Sequence, residues 1–202
     1  KCPPLKSCKH VLIYSDPATS NKDNKNSSRK FTGIIGYKDG VFYLYKVWLD
    51  NMTQRTFVQN LYNAHDWVKE RKVDTFKNWI ENNSLQDPFW EQVLKPLVKK
   101  VGKLLNRIPL FMSLDKRKKD DKYTRIEGTL EPKYKEGCLV FNEDEKDNLH
   151  MQRMAEEFLG VAPNSKMMDG PDGYEGGVWI IENLSSKENS EYVVGHINNR
   201  KY

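Results

Sequence analysis

The chain has 202 residues and a mass of 23.7 kDa, enough for one domain or at most two small ones that bury roughly 70% of the extended-chain surface. Its 38% hydrophobic share, 12 glycines, and 8 Phe, 5 Trp and 10 Tyr exclude a disulfide-stapled mini-protein and a wholly disordered chain. The balance of 33 basic against 28 acidic residues leaves +5, a mild excess that favours a polyanionic partner without requiring one.

Cys2, Cys8 and Cys138 are an odd set without a Cys-x-x-Cys or a matching histidine pair, and they read as reduced thiols. Apolar runs such as Val11-Leu12-Ile13-Tyr14 and Val178-Trp179-Ile180-Ile181 are far shorter than the roughly 20 residues of a membrane helix. A soluble protein with no membrane partner is expected. The chain starts at Lys1 without a signal-peptide pattern, so it reads as a domain of something larger, with residues 1–9 as a leader or linker.

In chain order, His10 to Ser15 reads as a buried strand stopped by Asp16-Pro17, since proline cannot donate to a ladder. Residues 17–30 are polar and read as a solvated loop. Lys30–Tyr37 and Val41–Asp50 flank Asp39-Gly40, a strong hairpin signal, so three strands form a meander. From Thr53 the period lengthens: Phe57, Leu61, Ala64 and Val68 make one helical stripe that ends at Lys69–Lys72. Asp74–Glu81 is predicted as a fourth strand, Pro88–Leu105 as a second helix and Ile108–Leu114 as a fifth strand. Lys116–Lys122 then carries five positive charges in seven residues. A short helix over Tyr123–Leu130, a strand over Cys138–Asn142 and helices over Leu149–Leu159 and Gly170–Leu184 complete the chain, with 185–202 as a polar tail.

This order is that of a ribonuclease H-like α/β fold, a mixed sheet of five or more strands with helices on both faces. The predicted domain spans 10–184. In that fold the first and fourth strands are neighbours, so Asp16 and Glu81 would stand about 4.8 Å apart at one sheet edge, with Asp169 and Asp172 able to reach the same place from the last helix. Such a carboxylate cluster suits two Mg²⁺ or Mn²⁺ ions about 3.5–4 Å apart that hydrolyse a phosphodiester. Bland readings stay open. Asp16 before proline also reads as a turn residue, Glu81 as loop solvation, and Asp169-Gly-Pro-Asp172 as a capping box.

Several segments together resemble a known family. Tyr14-Ser-Asp16-Pro17, Phe31-Thr-Gly-Ile-Ile-Gly36, Trp79-Ile-Glu81-Asn-Asn, Lys122-Tyr-Thr-Arg125-Ile with Leu130-Glu-Pro132-Lys-Tyr134, and Met168-Asp169-Gly-Pro-Asp172 follow in the order of the motifs of terminase large-subunit nuclease domains from tailed phages. The resemblance spans about residues 10–184. Lys30, Met168 and Gly173 depart from the residues usual at those points, and Lys30 removes an outer carboxylate, which bears on metal affinity. The resemblance implies a metal-dependent endonuclease that cuts double-stranded phage DNA during packaging in the bacterial host cytoplasm. It further implies an N-terminal ATPase domain in the same protein, and a small subunit and portal as partners. Lys122 and Arg125 match the family's basic motif and, with Lys116 and Lys118, are expected to hold DNA phosphates.

No Gly-x-x-x-x-Gly-Lys-Ser/Thr occurs, so the chain is not itself the ATPase. His10, His65, His150 and His196 lack metal-ligand spacing and no Gly-x-Ser-x-Gly is present, which disfavours zinc and serine-triad hydrolysis. Two alternatives remain: another ribonuclease H-like nuclease of the resolvase or integrase type, and a catalytically silent DNA-binding domain.

Overall fold

The computed structural model describes residues 1–18, 28–82, 87–118 and 120–198, with backbone only at Asp87 and over 187–198. Six strands, β1 (His10–Asp16), β2 (Lys30–Lys38), β3 (Val41–Asp50), β4 (Lys77–Glu81), β5 (Ser113–Asp115) and β6 (Leu139–Phe141), form one sheet in the order β5-β4-β1-β2-β3-β6. The β1–β2 and β2–β3 pairs are antiparallel, whereas β4 on β1, β5 on β4 and β6 on β3 are parallel. This is a ribonuclease H-like sheet with the expected meander and a sixth strand added beside β3. Asp39 and Gly40 both take positive φ at the β2–β3 turn, as a two-residue hairpin with right-handed strand twist demands.

Side-chain alternation divides β1 between two cores. Val11 and Ile13 face α1 (Gln54–Glu70), where Ala64 and Val68 cover them, while Leu12 and Tyr14 face α6 (Asp169–Asn198). Thr53 caps α1 by accepting the Thr56 amide at 3.1 Å. The second predicted helix is broken into α2 (Asp87–Phe89), a π-helical turn (Trp90–Leu94) and α3 (Lys95–Leu104), packed on α1 through Trp90, Leu94 and Val98. On the other face, α4 (Lys122–Lys135) and α5 (Leu149–Leu159) flank α6. Residues 1–9 lie against the sheet: Leu5 is buried, and Tyr45 Oη donates to the Pro3 carbonyl at 2.7 Å. No helix among the described residues is long and apolar enough to cross a membrane.

Several boundaries differ from expectation. The last helix continues to Asn198 instead of ending at Leu184, and α4 runs from Lys122 to Lys135 through Pro132. The fifth strand shrinks to Ser113–Asp115 because β4 offers it only three paired residues, and Pro109 has no amide to extend the ladder. Most of the expected 17–30 loop, 19–27, and Lys119 of the basic run lie outside the described residues.

What brings α6 so close to the sheet is glycine. A Cβ at Gly173 would lie 2.3 Å from the Phe31 ring, and one at Gly176 would lie 2.3 Å from Tyr14 Cζ. Phe31 pairs with Asp16 across β1 and β2, so the contact at Gly173 carries the start of α6 to the end of β1. An alanine at position 173 would collide with Phe31. We expect Gly176→Ala to destabilise the protein by about 2 kcal/mol despite alanine's better helix propensity, because the buried Tyr14 ring cannot yield. Thermal unfolding measures this, and a raised melting temperature would contradict the packing described.

Candidate active site

Three carboxylates end three adjacent parallel strands on one face. Ser15 is level with Ile80, so the register continued by one residue sets Asp16 beside Glu81, and Glu81 pairs directly with Asp115. All three share the face of Tyr14, against which α6 packs. Glu81 and Asp115 are buried, Asp16 partly so. Tyr14 Oη reaches across β4 and donates to Asp115 Oδ2 at 2.6 Å. Burial, together with the Asp115 and Glu81 carboxylates, holds the Tyr14 phenol well above its ordinary pKa, so it stays a donor.

Above this row sits the first turn of α6. Asp169 and Asp172 are both buried there, one turn apart on the face that meets the sheet. The capping-box reading of Asp169 gives way to another arrangement. Glu157, on α5, accepts the Gly170 amide at 2.7 Å, and Asp169 Oδ2 instead accepts the Arg29 amide at 2.8 Å. The Arg29 guanidinium pairs with Glu157 in turn. Asp169 is thus held by Arg29, the residue just before β2, and not by its own helix.

Cations fill the space among these acids. Lys122 Nζ lies 2.7 Å from Asp169 Oδ1 and 3.5 Å from Asp172 Oδ2. Burial works to lower the pKa of this ammonium, and the Asp172, Asp169 and Asp16 carboxylates outweigh it and hold the pKa above the usual lysine value. Lys122 is therefore charged at any physiological pH. Arg125 bridges Asp172 and Glu175, each at 2.8 Å. Arg117 grips both Glu175 oxygens, at 3.0 and 2.7 Å, approaches Asp115 at 3.3 Å, and stacks over the Trp179 ring at 4.5 Å. A chain of hydrogen bonds and ion pairs thus runs from Tyr14 through Asp115, Arg117, Glu175, Arg125, Asp172 and Lys122 to Asp169.

Asp16, Glu81, Asp169 and Asp172 accordingly meet at one end of the sheet. Lys122 and Arg125 point into this acidic cluster, whereas Lys116 and Lys118 are exposed on the loop between β5 and α4. Sequence reasoning missed Asp115, Glu175 and Arg117. Asp172 and Glu175 repeat the i, i+3 spacing of Asp169 and Asp172, a signal that one more carboxylate lies on the buried face. No three His, Cys, Asp or Glu among the described residues surround a common point closely enough to hold a metal, and the Lys122 ammonium occupies the space between Asp169 and Asp172. The donor set nonetheless fits a divalent ion: carboxylate oxygens are the ligands that Mg²⁺ and Mn²⁺ prefer, and the cluster already accommodates a cation in Lys122.

No protein-family model matches this chain, and no curated protein matches its sequence. Solved structures do share its fold. The human cytomegalovirus terminase nuclease domain soaked with Mn superposes with a TM-score of 0.58 at 12% identity, over 86% of this chain and 83% of that one. The same domain, Mn-soaked and inhibitor-bound, gives 0.56 at 12% identity over 91% of each. The large terminase of a thermophilic bacteriophage, in complex with ATP-γ-S, gives 0.50 at 12% identity, over 89% of this chain but 40% of that one. At these identities the likeness establishes the fold, that of terminase nuclease domains.

Proposed function

We propose that this chain is a metal-dependent endonuclease domain of the terminase large-subunit type, which hydrolyses phosphodiester bonds of double-stranded phage DNA during genome packaging. The observation that carries the reading is the row Asp16, Glu81 and Asp115 across three parallel strands, with Asp169 and Asp172 lowered onto it by a glycine-lined helix. Asp16, Glu81, Asp169 and Asp172 would hold two Mg²⁺ or Mn²⁺ ions, and those ions, when bound, supply Lewis-acid polarisation of the phosphate and activation of water.

The chain's own residues have separate work. Asp115 is committed to Tyr14 and Arg117, which makes it a brace for the row. Arg117, bidentate on Glu175, ties the basic loop to α6, so Lys116 and Lys118 leave from a fixed point near the acids. Lys122 balances Asp169 and Asp172 in the structure as it stands. Were those acids to hold divalent ions instead, the Lys122 ammonium would be available to substrate phosphates, and so would the part of the Arg125 guanidinium not bonded to Glu175. An N-terminal ATPase domain in the same protein, a small subunit and a portal are the partners this reading entails, and the bacterial host cytoplasm is where they would meet.

The test is cleavage of supercoiled plasmid and linear duplex by the purified chain. We expect nicking and linearisation with Mn²⁺ or Mg²⁺, none with EDTA, and little preference for sequence. Selective cutting of four-way junctions would favour a resolvase, and DNA binding without cleavage in any metal would favour a silent binding domain. For the phosphate contacts, we expect Lys116→Ala with Lys118→Ala to weaken binding to all sequences alike. The double variant should flatten the slope of log affinity against log salt by about 1.8, two phosphates at roughly 0.9 each. An unchanged slope would return these lysines to plain surface charge.

A further inference from the structure

Both oxygens of each acid in the first turn of α6 are already engaged. Asp169 Oδ2 accepts the Arg29 amide at 2.8 Å, and its Oδ1 meets Lys122 Nζ at 2.7 Å. Asp172 Oδ1 meets Arg125 Nη2 at 2.8 Å, and its Oδ2 meets Lys122 Nζ at 3.5 Å. Lys122 thus takes one oxygen from each acid, and the Asp16 carboxylate attracts the same ammonium. A divalent ion shared by Asp169 and Asp172 needs those same oxygens, at about 2.0–2.1 Å for Mg²⁺. Ammonium and metal ion cannot hold them together, since two cations a few ångströms apart repel strongly where little water screens them.

The two basic side chains in this cluster are not equally fixed. Arg125 also bonds Glu175 at 2.8 Å and its side chain is 13% exposed, whereas the Lys122 side chain is 33% exposed and reaches the acids on a flexible four-carbon stem. Nor does the helix of Lys122 favour a cation at that point. Lys122 is the first residue of α4, directly after the Asp121 cap, where the positive end of the helix dipole works against an ammonium. The acids alone therefore account for its place. A compact, strongly hydrated charge on such a stem leaves more easily than a guanidinium locked in a fork of hydrogen bonds.

We propose that Lys122 is a resident counter-ion of the metal site, which a divalent ion must displace from Asp169 and Asp172 in order to bind there. The inference rests on the proposed function and adds an inequality to it. Of the two ions, the one that shares the α6 acids binds more weakly, because its arrival must expel a cation the chain already holds. Lys122 therefore sets the metal concentration at which the site fills, and its ammonium swings out toward solvent as that ion enters.

The test is Mn²⁺ titration of the whole chain, with free Mn²⁺ followed by electron paramagnetic resonance, for wild type and Lys122→Met. Methionine keeps most of the stem and removes the charge, and circular dichroism checks that the variant is folded. Wild type is expected to bind two ions in unequal steps. In Lys122→Met the weaker step should tighten roughly tenfold or more, the scale of one charge a few ångströms from the ion at a partly buried site. A lysine that merely braced α6 would have the opposite effect, since its loss would loosen the ligands and weaken binding. A second measurement uses only the wild-type chain: acetylation of Lys122 by an amine-reactive ester, read by peptide mass spectrometry against the exposed Lys100 and Lys103 of α3. Its relative rate is expected to rise several-fold when Mn²⁺ saturates the chain. Equal steps in wild type, a weaker step that is unchanged or loosened in Lys122→Met, or a Lys122 acetylation rate indifferent to Mn²⁺ would overturn the proposal and leave the metal site standing. Absence of saturable Mn²⁺ binding in both chains would overturn it together with the proposed function.

Discussion

Replacing Asp16 by Asn is expected to lower metal-dependent plasmid cleavage by a hundredfold or more, while the variant unfolds at or above the wild-type temperature. Asp16 lies at the partly exposed end of β1, level with Glu81, and its charge acts on Lys122. Asparagine preserves the shape and removes one unit of the negative charge that draws a divalent ion. The large loss follows because ions that neutralise phosphate and activate water contribute several kcal/mol at the transition state. Stability is spared because one member leaves a crowded set of like charges. Initial rates across a Mn²⁺ titration, with melting curves on the same samples, check both halves. Wild-type cleavage by Asp16→Asn would remove this residue from the site.

The largest expected effect on stability belongs to Arg117→Met. The guanidinium is nearly enclosed between Asp115 and Glu175, which are 3% and 1% exposed. Methionine keeps much of the stem's volume over Trp179 and deletes the charge, so two buried carboxylates lose a shared partner. Breaking a buried pair from one side costs about 3–5 kcal/mol. Arg125 still bonds Glu175 and Tyr14 still bonds Asp115, so we place the cost near the lower end, about 3 kcal/mol. For a chain of this length that lowers the melting temperature by about 6–12 °C. A change below about 1 kcal/mol would show that the network is not what holds the β5–α4 loop to α6.

Where the sequence was legible, a period was clean. The meander follows from β-branched and aromatic runs around Asp39-Gly40, and α1 and α5 follow from apolar residues at helical spacing. The four carboxylates Asp16, Glu81, Asp169 and Asp172 could be assembled because three of them sit at element ends, where polar residues interrupt apolar runs. Asp115 escaped notice: its strand has three residues and the basic run follows at once, so it looks like loop. Glu175 was hidden by burial on several sides of α6, which leaves its glycine-rich start without a polar face to mark the inner one. Lys122 and Arg125 show the limit of reading charge by sign. Basic residues near a proposed nuclease site suggest phosphate contacts, yet these two first meet the buried acids of α6, a partnership set by the fold and invisible in the local sequence. Ile108 and Phe111 are the converse case, apolar residues in a predicted strand that the sheet leaves outside.

The proposed activity depends on the end of this sheet holding divalent cations. Titrating the chain with Mn²⁺ and following the free ion by electron paramagnetic resonance tests it without reference to cleavage. The account predicts saturable binding that approaches two ions per chain, displaced by Mg²⁺ and lost in Asp16→Asn with Glu81→Gln. Binding that never saturates, or that survives unchanged in that double variant, would contradict it.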